Sequence, residues 1–228
     1  MTEQGELFIV PTPIGNIEDI TLRALNVLKS VDIIACEDKR ETGKLLKLFE
    51  INAKKLISYH NFNERNSSLG IIQLIENGNK VALVSDAGYP LVSDPGYDLI
   101  KQCKLSNIKI TPLPGASAIL PALVASGLST DSFVFLGFPP QKKGRKTFVE
   151  KAITYDKTVI LYESPHKIIR LLTTLSEILE EDRKVSIARE ISKMFEEYLL
   201  DTPKNLIDYL EKNNKVKGEF VVLIERKN

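Results

Sequence analysis

Val81 to Gly96 reads VALVSDAGYPLVSDPG, and the fold turns on this stretch. Val81-Ala82-Leu83-Val84 is an uninterrupted apolar run, the pattern of a strand buried on both faces. It stops at Ser85-Asp86-Ala87-Gly88. A shorter apolar pair, Leu91-Val92, follows, and Ser93-Asp94-Pro95-Gly96 then introduces a helix. Asp94 suits its N-cap and Pro95 its first helical position. Polar residues and glycines thus cluster just beyond the C-terminal end of a strand, where open α/β sheets hold ligands. Asp86 fits two roles, a ligand group or a turn-former that bonds its own backbone.

The same pattern repeats outward. Leu7 to Val10 is a short strand broken by Pro11-Thr12-Pro13-Ile14-Gly15-Asn16, which lacks the glycines of a GxGxxG dinucleotide loop. Asp19 caps a helix to about Ser30, with Ile20, Ala24, Val27 and Leu28 at helical spacing. Val31 to Cys36 is a second strand, closed by the charged cluster Glu37-Asp38-Lys39-Arg40-Glu41-Thr42 and a helix to Phe49. Leu56 to Tyr59 is a third strand, followed by His60-Asn61-Phe62-Asn63. A helix over Glu64 to Glu76 stops at Asn77-Gly78. Beyond the central stretch, the helix from Pro95 to Leu105 leads to a strand at Ile108 to Thr111. This alternation predicts parallel strands with right-handed crossovers.

Pro112-Leu113-Pro114-Gly115-Ala116-Ser117-Ala118 ends that strand and opens a helix running to about Ser126-Gly127. Small residues there let a ligand approach the backbone, and a helix start offers free N–H groups. Tight helix–strand packing explains the same residues equally well. The domain junction falls between about Leu113 and Ala118. Residues 1–114 form an N-terminal α/β domain with a mostly parallel sheet, and 115–228 a C-terminal α/β domain. In the latter, strands are expected at Phe133–Leu136, Thr158–Tyr162, Val185–Ala188, Phe195–Leu200 and Glu219–Ile224. Helices are expected from Ser164-Pro165 to Leu179 and over Lys204 to Lys212. Neighbouring strands without an intervening helix predict a mixed sheet. Gly137 to Lys146, GFPPQKKGRK, reads as a basic loop carrying Lys142, Lys143, Arg145 and Lys146, either solvated or facing phosphates.

The totals bound the rest. A chain of 228 residues makes one large domain or two small ones, and 43% hydrophobic with 27% charged residues allows a sizeable core. The net charge of +1 leaves no global footprint for nucleic acid, though it allows a local basic patch. Cys36 and Cys103 make neither a disulfide framework nor a zinc motif, and suit buried thiols in a reducing cytosol. No apolar run reaches the ~18 residues of a membrane-spanning helix. The N-terminal MTEQGELF has no signal-peptide pattern, so a cytoplasmic location is expected.

Read together, LFIVPTPIGNIEDIT, ACEDKRET, SYHNFNE, VALVSDAGYPLVSDPG, PLPGASA, FLGFPP and LYESPHK resemble the tetrapyrrole-methylase superfamily. They look most like its bacterial small-subunit ribosomal RNA methyltransferase I family. Seven motifs in one order, from about Glu6 to Glu190, carry the resemblance. It implies two α/β domains with a cofactor cleft between them, distinct from the Rossmann methyltransferase fold. It also implies S-adenosylmethionine as methyl donor and a homodimer. The implied substrate is the ribose 2′-oxygen of a cytidine in the decoding region of 16S rRNA, within the small ribosomal subunit. Many superfamily members carry a glycine-rich loop after the first strand; here Ile14 and Gly15 match it only in position. Asp86, Ala87 and Gly88 match the acidic cofactor-binding turn, and Ser117 and Ala118 the second cofactor loop. Tyr162 and Glu163 fall where the second domain contributes to the site. A tetrapyrrole or other small-molecule methyltransferase is the alternative within the superfamily, disfavoured by FLGFPP, YHNFN and ESPHK.

Methyl transfer from a sulfonium needs mainly positioning, and no metal. A ribose hydroxyl is a weak nucleophile, so a proton acceptor helps by about 10²–10⁴-fold. Glu37, Asp38, His60 and Glu163 each follow a predicted strand. Glu37 or His60 is favoured as the base, with Arg40 on a phosphate.

Overall fold

The computed structural model describes residues 5–52, 55–60 and 64–227, apart from the side chains of 64–66. Residues 1–4 of the MTEQGELF stretch, and Asn61, Phe62 and Asn63 of the YHNFN motif, lie outside the described residues. The chain forms two compact units, Met1–Ser117 and Ala118–Asn228, each with its own five-stranded sheet.

In the first unit the strands are β1 (Glu6–Ile9), β2 (Ile33–Cys36), β3 (Leu56–Ser58), β4 (Lys80–Val84) and β5 (Lys109–Pro112). Their order is β3-β2-β4-β1-β5, and every pairing is parallel. The connections carry α1 (Leu22–Ser30), α2 (Lys39–Leu48), α3 (Glu64–Glu76) and α4 (Tyr97–Leu105). Alternate residues of β4 serve two cores. Val81 and Leu83 pack with Ile71 and Ile75 of α3 and with Leu99 and Cys103 of α4. Ala82 and Val84 pack with Ala24, Val27 and Leu28 of α1 and Leu46 of α2. Burial on both faces is why the run is continuous rather than alternating. Pro112 is tolerated inside β5 because β5 lies at the sheet's edge, where a missing N–H breaks no inner ladder.

Two helix starts differ from those predicted. Thr21, not Asp19, caps α1, its hydroxyl accepting the Ala24 N–H at 3.0 Å. Asp19 belongs to a 3-10 turn, Ile17–Asp19, capped by Asn16. Helix α4 begins at Tyr97, with Gly96 at the cap and no side-chain capping bond. Asp94 and Pro95 stay in the loop because the backbone there is sharply turned: Leu91 and Ser93 have φ of 71°, and Gly96 has φ of 142°. A Cβ on Gly96 would sit 2.7 Å from Leu91 Cγ, so only glycine lets the chain close on Leu91 before the helix starts.

The second unit contains β6 (Phe133–Gly137), β7 (Thr158–Glu163), β8 (Val185–Arg189), β9 (Glu197–Asp201) and β10 (Phe220–Ile224). Their order is β6-β7-β10-β8-β9. Only β6 and β7 pair in parallel, so the sheet is mixed. Its helices are α5 (Ile119–Ala125), α6 (Arg145–Ala152), α7 (Ile168–Ile178) and α8 (Pro203–Lys212). Leu171, Leu172 and Leu175 of α7, with Leu206 and Leu210 of α8, cover Val159 and Leu161 of β7 and Val222 and Ile224 of β10. Helix α7 starts at Ile168 instead of Pro165, because the Ser164 carbonyl first accepts the N–H groups of Lys167 and Ile168 in a turn. Strand β9 starts at Glu197, leaving Phe195 exposed. Helix α6 is an addition: the GFPPQKKGRK loop ends at Gly144, and Val149 and Ala152 bury one face of the helix that follows. Among the described residues no helix is long and apolar enough to cross a membrane.

Leu161 is fully buried at the centre of the second core. Leu161→Ala is expected to destabilise the protein by about 2–5 kcal/mol, read from the midpoint of urea unfolding.

Candidate active site at the strand ends of the parallel sheet

Strand β4 leads to α4 on one face of the first sheet, whereas its neighbours β1 and β2 lead to α1 and α2 on the other. Connections that part in this way leave a crevice at the strand ends. A cleft of about 510 Å³ lies there. Pro13, Ile14 and Ile17 line it from the loop after β1, Leu45 and Leu48 from α2, and Asp86 and Ala87 from the turn after β4. Thr12 stitches the two loops. Its N–H and carbonyl each bond Gly88 at 2.9 Å, and its hydroxyl donates to the Ser85 carbonyl at 3.0 Å. Gly88 has φ of 77°, and a Cβ there would press on Ile14 Cγ2 at 3.2 Å. Glycine at 88 therefore permits both the bridge and the position of Ile14 in the cleft wall.

Carboxylates gather beside this cleft. The Asp38 N–H donates to Asp86 Oδ1 at 3.1 Å, tying the turn after β4 to the start of α2. Asp38 caps α2 by accepting the Arg40 N–H at 2.8 Å. The Arg40 guanidinium, 85% exposed, forks onto the Asp38 carboxylate and holds that carboxyl at about 2. Burial raises Glu37 above the ordinary carboxylate range; the charge on Asp86 adds to this, and His60 opposes it. Asp94 is pushed up to about 6, first by burial, then by Glu37 and Asp86, against a hydrogen bond from Ser85. Residues 37, 60, 86 and 94 thus converge from the ends of β2, β3 and β4. A helix-cap reading of Asp94 misses this role. The signal for it is a repeated pattern: Ser85-Asp86-Ala87-Gly88 and Ser93-Asp94-Pro95-Gly96 are both S-D-x-G.

The remaining candidates are placed as follows. Ser117 closes the first unit and does not line the cleft. Ala118 precedes α5 without a side-chain cap. Tyr162 and Glu163 end β7 in the second unit. Glu163 is 4% exposed; its carboxylate pairs with the Arg145 guanidinium and accepts the Ser164 N–H at 2.8 Å. Arg145 is equally buried, so one of the four cations of the basic segment is an internal ion-pair partner and faces no phosphate. Both thiols are buried, and burial raises them, Cys103 to about 11.

Two sheets, one wholly parallel with polar groups at its strand ends and one mixed, define an α/β protein outside the Rossmann class. Residues 6–206 match the family described as Tetrapyrrole (Corrin/Porphyrin) Methylases. The chain is 48% identical over 224 residues to a ribosomal RNA small subunit methyltransferase I of Hydrogenobaculum sp. (strain Y04AAS1), covering 98% of this chain and 96% of the relative. It is 42% identical over 228 residues to the protein of that name in Bacillus subtilis (strain 168), covering all of this chain and 77% of the relative. Among solved structures, a diphthine synthase superposes with a TM-score of 0.74 at 16% identity, covering 98% of this chain and 90% of that one. The chain belongs to the tetrapyrrole methylase family, and it is an S-adenosylmethionine-dependent methyltransferase. The first unit suits that methyl donor. Its cleft lies within the ~300–1,000 Å³ usual for small-molecule sites. Apolar side chains line it together with the carboxylates of Asp86 and Glu41 and the ammonium of Lys44.

The Asp94 carboxyl has a signature in stability. Its value is raised from 3.8 to about 6, so the folded state binds its proton more tightly than the unfolded chain does. The cost is fully present above about pH 6 and vanishes below about pH 4. Asp94→Asn should therefore stabilise the protein at pH 7.5 by about 1–2 kcal/mol after solvent screening. Thermal unfolding should show Tm higher by about 2–6 °C at pH 7.5 and no gain near pH 4.

Proposed function

We propose that this protein transfers the methyl group of S-adenosylmethionine to the ribose 2′-oxygen of a cytidine in the decoding region of 16S rRNA, within the small ribosomal subunit. The observation that carries the reading is the convergence of Glu37, His60, Asp86 and Asp94 beside a cleft at the strand ends. The ribosomal RNA activity in the names of its relatives supports the substrate. The protein works in the cytoplasm as a homodimer, as the family resemblance implies.

S-adenosylmethionine supplies a methyl carbon already activated by the positive charge on sulfur. Ile14 and Ala87 line the wall that holds the donor, and Gly88, bridged to Thr12, sets the turn behind them. Asp86 accepts hydrogen bonds from its amino or hydroxyl groups. The neighbouring carboxylates favour its cationic centre. Glu37 takes the proton of the ribose hydroxyl, because its carboxyl is raised toward working pH while His60 keeps a charged form accessible. Arg40 is solvent-exposed and its pairing with Asp38 is weak in water, so it can exchange that partner for a phosphate.

The direct test supplies labelled methyl donor and small subunits from a strain lacking the activity, then maps the product nucleotide. Label on a cytidine 2′-oxygen is expected. Unlabelled RNA, with label accepted by a tetrapyrrole instead, would overturn the reading. Glu37→Gln should slow the single-turnover rate by about 10²–10⁴-fold and remove the acidic limb of its pH profile. Asp86→Ala should weaken donor binding by about 1.5–3 kcal/mol in calorimetry, as expected for loss of a hydrogen bond to a charged group.

A further inference from the structure

We propose that Phe138 is a stacking platform for an unpaired base of the RNA substrate, with Lys142, Lys143 and Lys146 holding the flanking phosphates. The inference deepens the function proposed above and rests on it. Three features of the second unit carry it: an exposed ring held rigidly, a strapped loop, and cations beside it.

The ring is exposed by design of the backbone. The β6–β7 register shifts between Phe135 and Gly137, and Gly137 has φ of 68°. A bulge followed by a left-handed residue re-aims the chain. Phe138 emerges there 57% exposed, while Pro139 next to it is buried. Its ring meets Tyr162 edge-to-face at 5.4 Å, and Tyr162 meets Phe135 at 4.9 Å. A base can therefore stack on a ring whose orientation is already set, at little cost in ordering.

The loop beyond is strapped at two carbonyls. Arg145, buried against Glu163, donates to the Pro140 carbonyl at 3.5 Å. Lys167 Nζ donates to the Gln141 carbonyl at 3.3 Å. A buried ion pair is an expensive way to stabilise a fold, and it is better explained by the loop geometry that it imposes. The straps leave Lys142 and Lys143 exposed immediately after the anchored residues. Lys146 is 73% exposed and only 3.9 Å from Glu150, a contact weak enough to yield to a phosphate. An aromatic face flanked by cations is the combination that binds single-stranded nucleic acid: stacking tolerates any base, and the cations follow the backbone.

The two contributions separate experimentally. Fluorescence anisotropy would follow the full chain binding a labelled oligocytidylate of about twelve nucleotides over a range of salt. Phe138→Leu should weaken binding about fivefold or more at every salt concentration, without changing the slope of log affinity against log salt. Phe138→Trp should restore the affinity. Replacing Lys142, Lys143 and Lys146 by Gln should instead reduce the slope by about 0.7 for each lysine that contacts a phosphate. Unchanged affinity in Phe138→Leu, or no binding by the unaltered protein, overturns the inference. Methyl transfer to small subunits, measured in parallel on the unaltered protein, keeps the outcomes apart. If that transfer proceeds while Phe138→Leu binds normally, only the stacking role falls. If it does not occur, the proposed function falls with it.

Discussion

Burial of β4 on both faces is the constraint that orders the first unit. Val81, Ala82, Leu83 and Val84 are all nearly inaccessible, and each completes a core on its own side of the sheet. Burying such side chains contributes roughly 1.5–3 kcal/mol for each of the larger ones. A strand committed in this way has no place for polar chemistry along its length. Ser85 and Asp86 therefore stand at the first positions where the sheet ends. The connection from β4 departs on the face opposite to those of β1 and β2, so the same positions also border a crevice. Core packing and ligand access are thus two consequences of one strand order.

The groups at that crevice are held against their own preferences. Glu37 and Asp94 are raised by partial burial and by the charges of their carboxylate neighbours, Asp86 among them. The loop that carries Asp94 adds left-handed φ values at Leu91 and Ser93, each costing on the order of 1–3 kcal/mol. A crowd of carboxylates is poorly stabilised alone and well stabilised by a cation, which is the charge of a sulfonium methyl donor. The Ser85 hydroxyl, the Thr12–Gly88 bridge and the Asp38 N–H keep the group assembled.

In the second unit the corresponding expense is the Arg145–Glu163 pair. It lies at the junction of β7, α6 and the loop after β6, and bonds to Ser164 and Pro140 satisfy more of its polar atoms. Desolvating both charges offsets much of their attraction. What the pair secures is a defined path for a proline-containing loop, with its aromatic and cationic residues set outward.

Much of this was legible in the sequence. Apolar runs located the strands to within about two residues at each end, and the cue was clearest in β4 and β10, where burial on both faces leaves a continuous run. β2 and β9 each begin two residues beyond the expected start, at Ile33 and Glu197. Helix starts were legible less well. Asp19, Asp94-Pro95 and Ser164-Pro165 all have the chemistry of a helix start, yet in each case the helix begins further on. Capping preference describes a side chain, whereas the start of a helix also needs the backbone to arrive in the right direction. Arg145 shows the same limit. Beside Lys142, Lys143 and Lys146 it is one cation among four, and only its place at the first turn of α6 turns it inward to Glu163.

By itself the sequence determined the alternation of strands and helices, the mostly parallel character of the first sheet and the mixed character of the second, and the polar groups at strand ends; that every pairing of the first sheet is parallel came from the structure. The ordered motifs of the sequence determined the family resemblance as well. The tertiary structure alone decided which of those groups meet. Residues 37, 60, 86 and 94 become neighbours because β2, β3 and β4 adopt the order β3-β2-β4 and the loop after β4 turns back on itself. Electrostatic coupling depends on separation in space, and separation along the chain does not encode it.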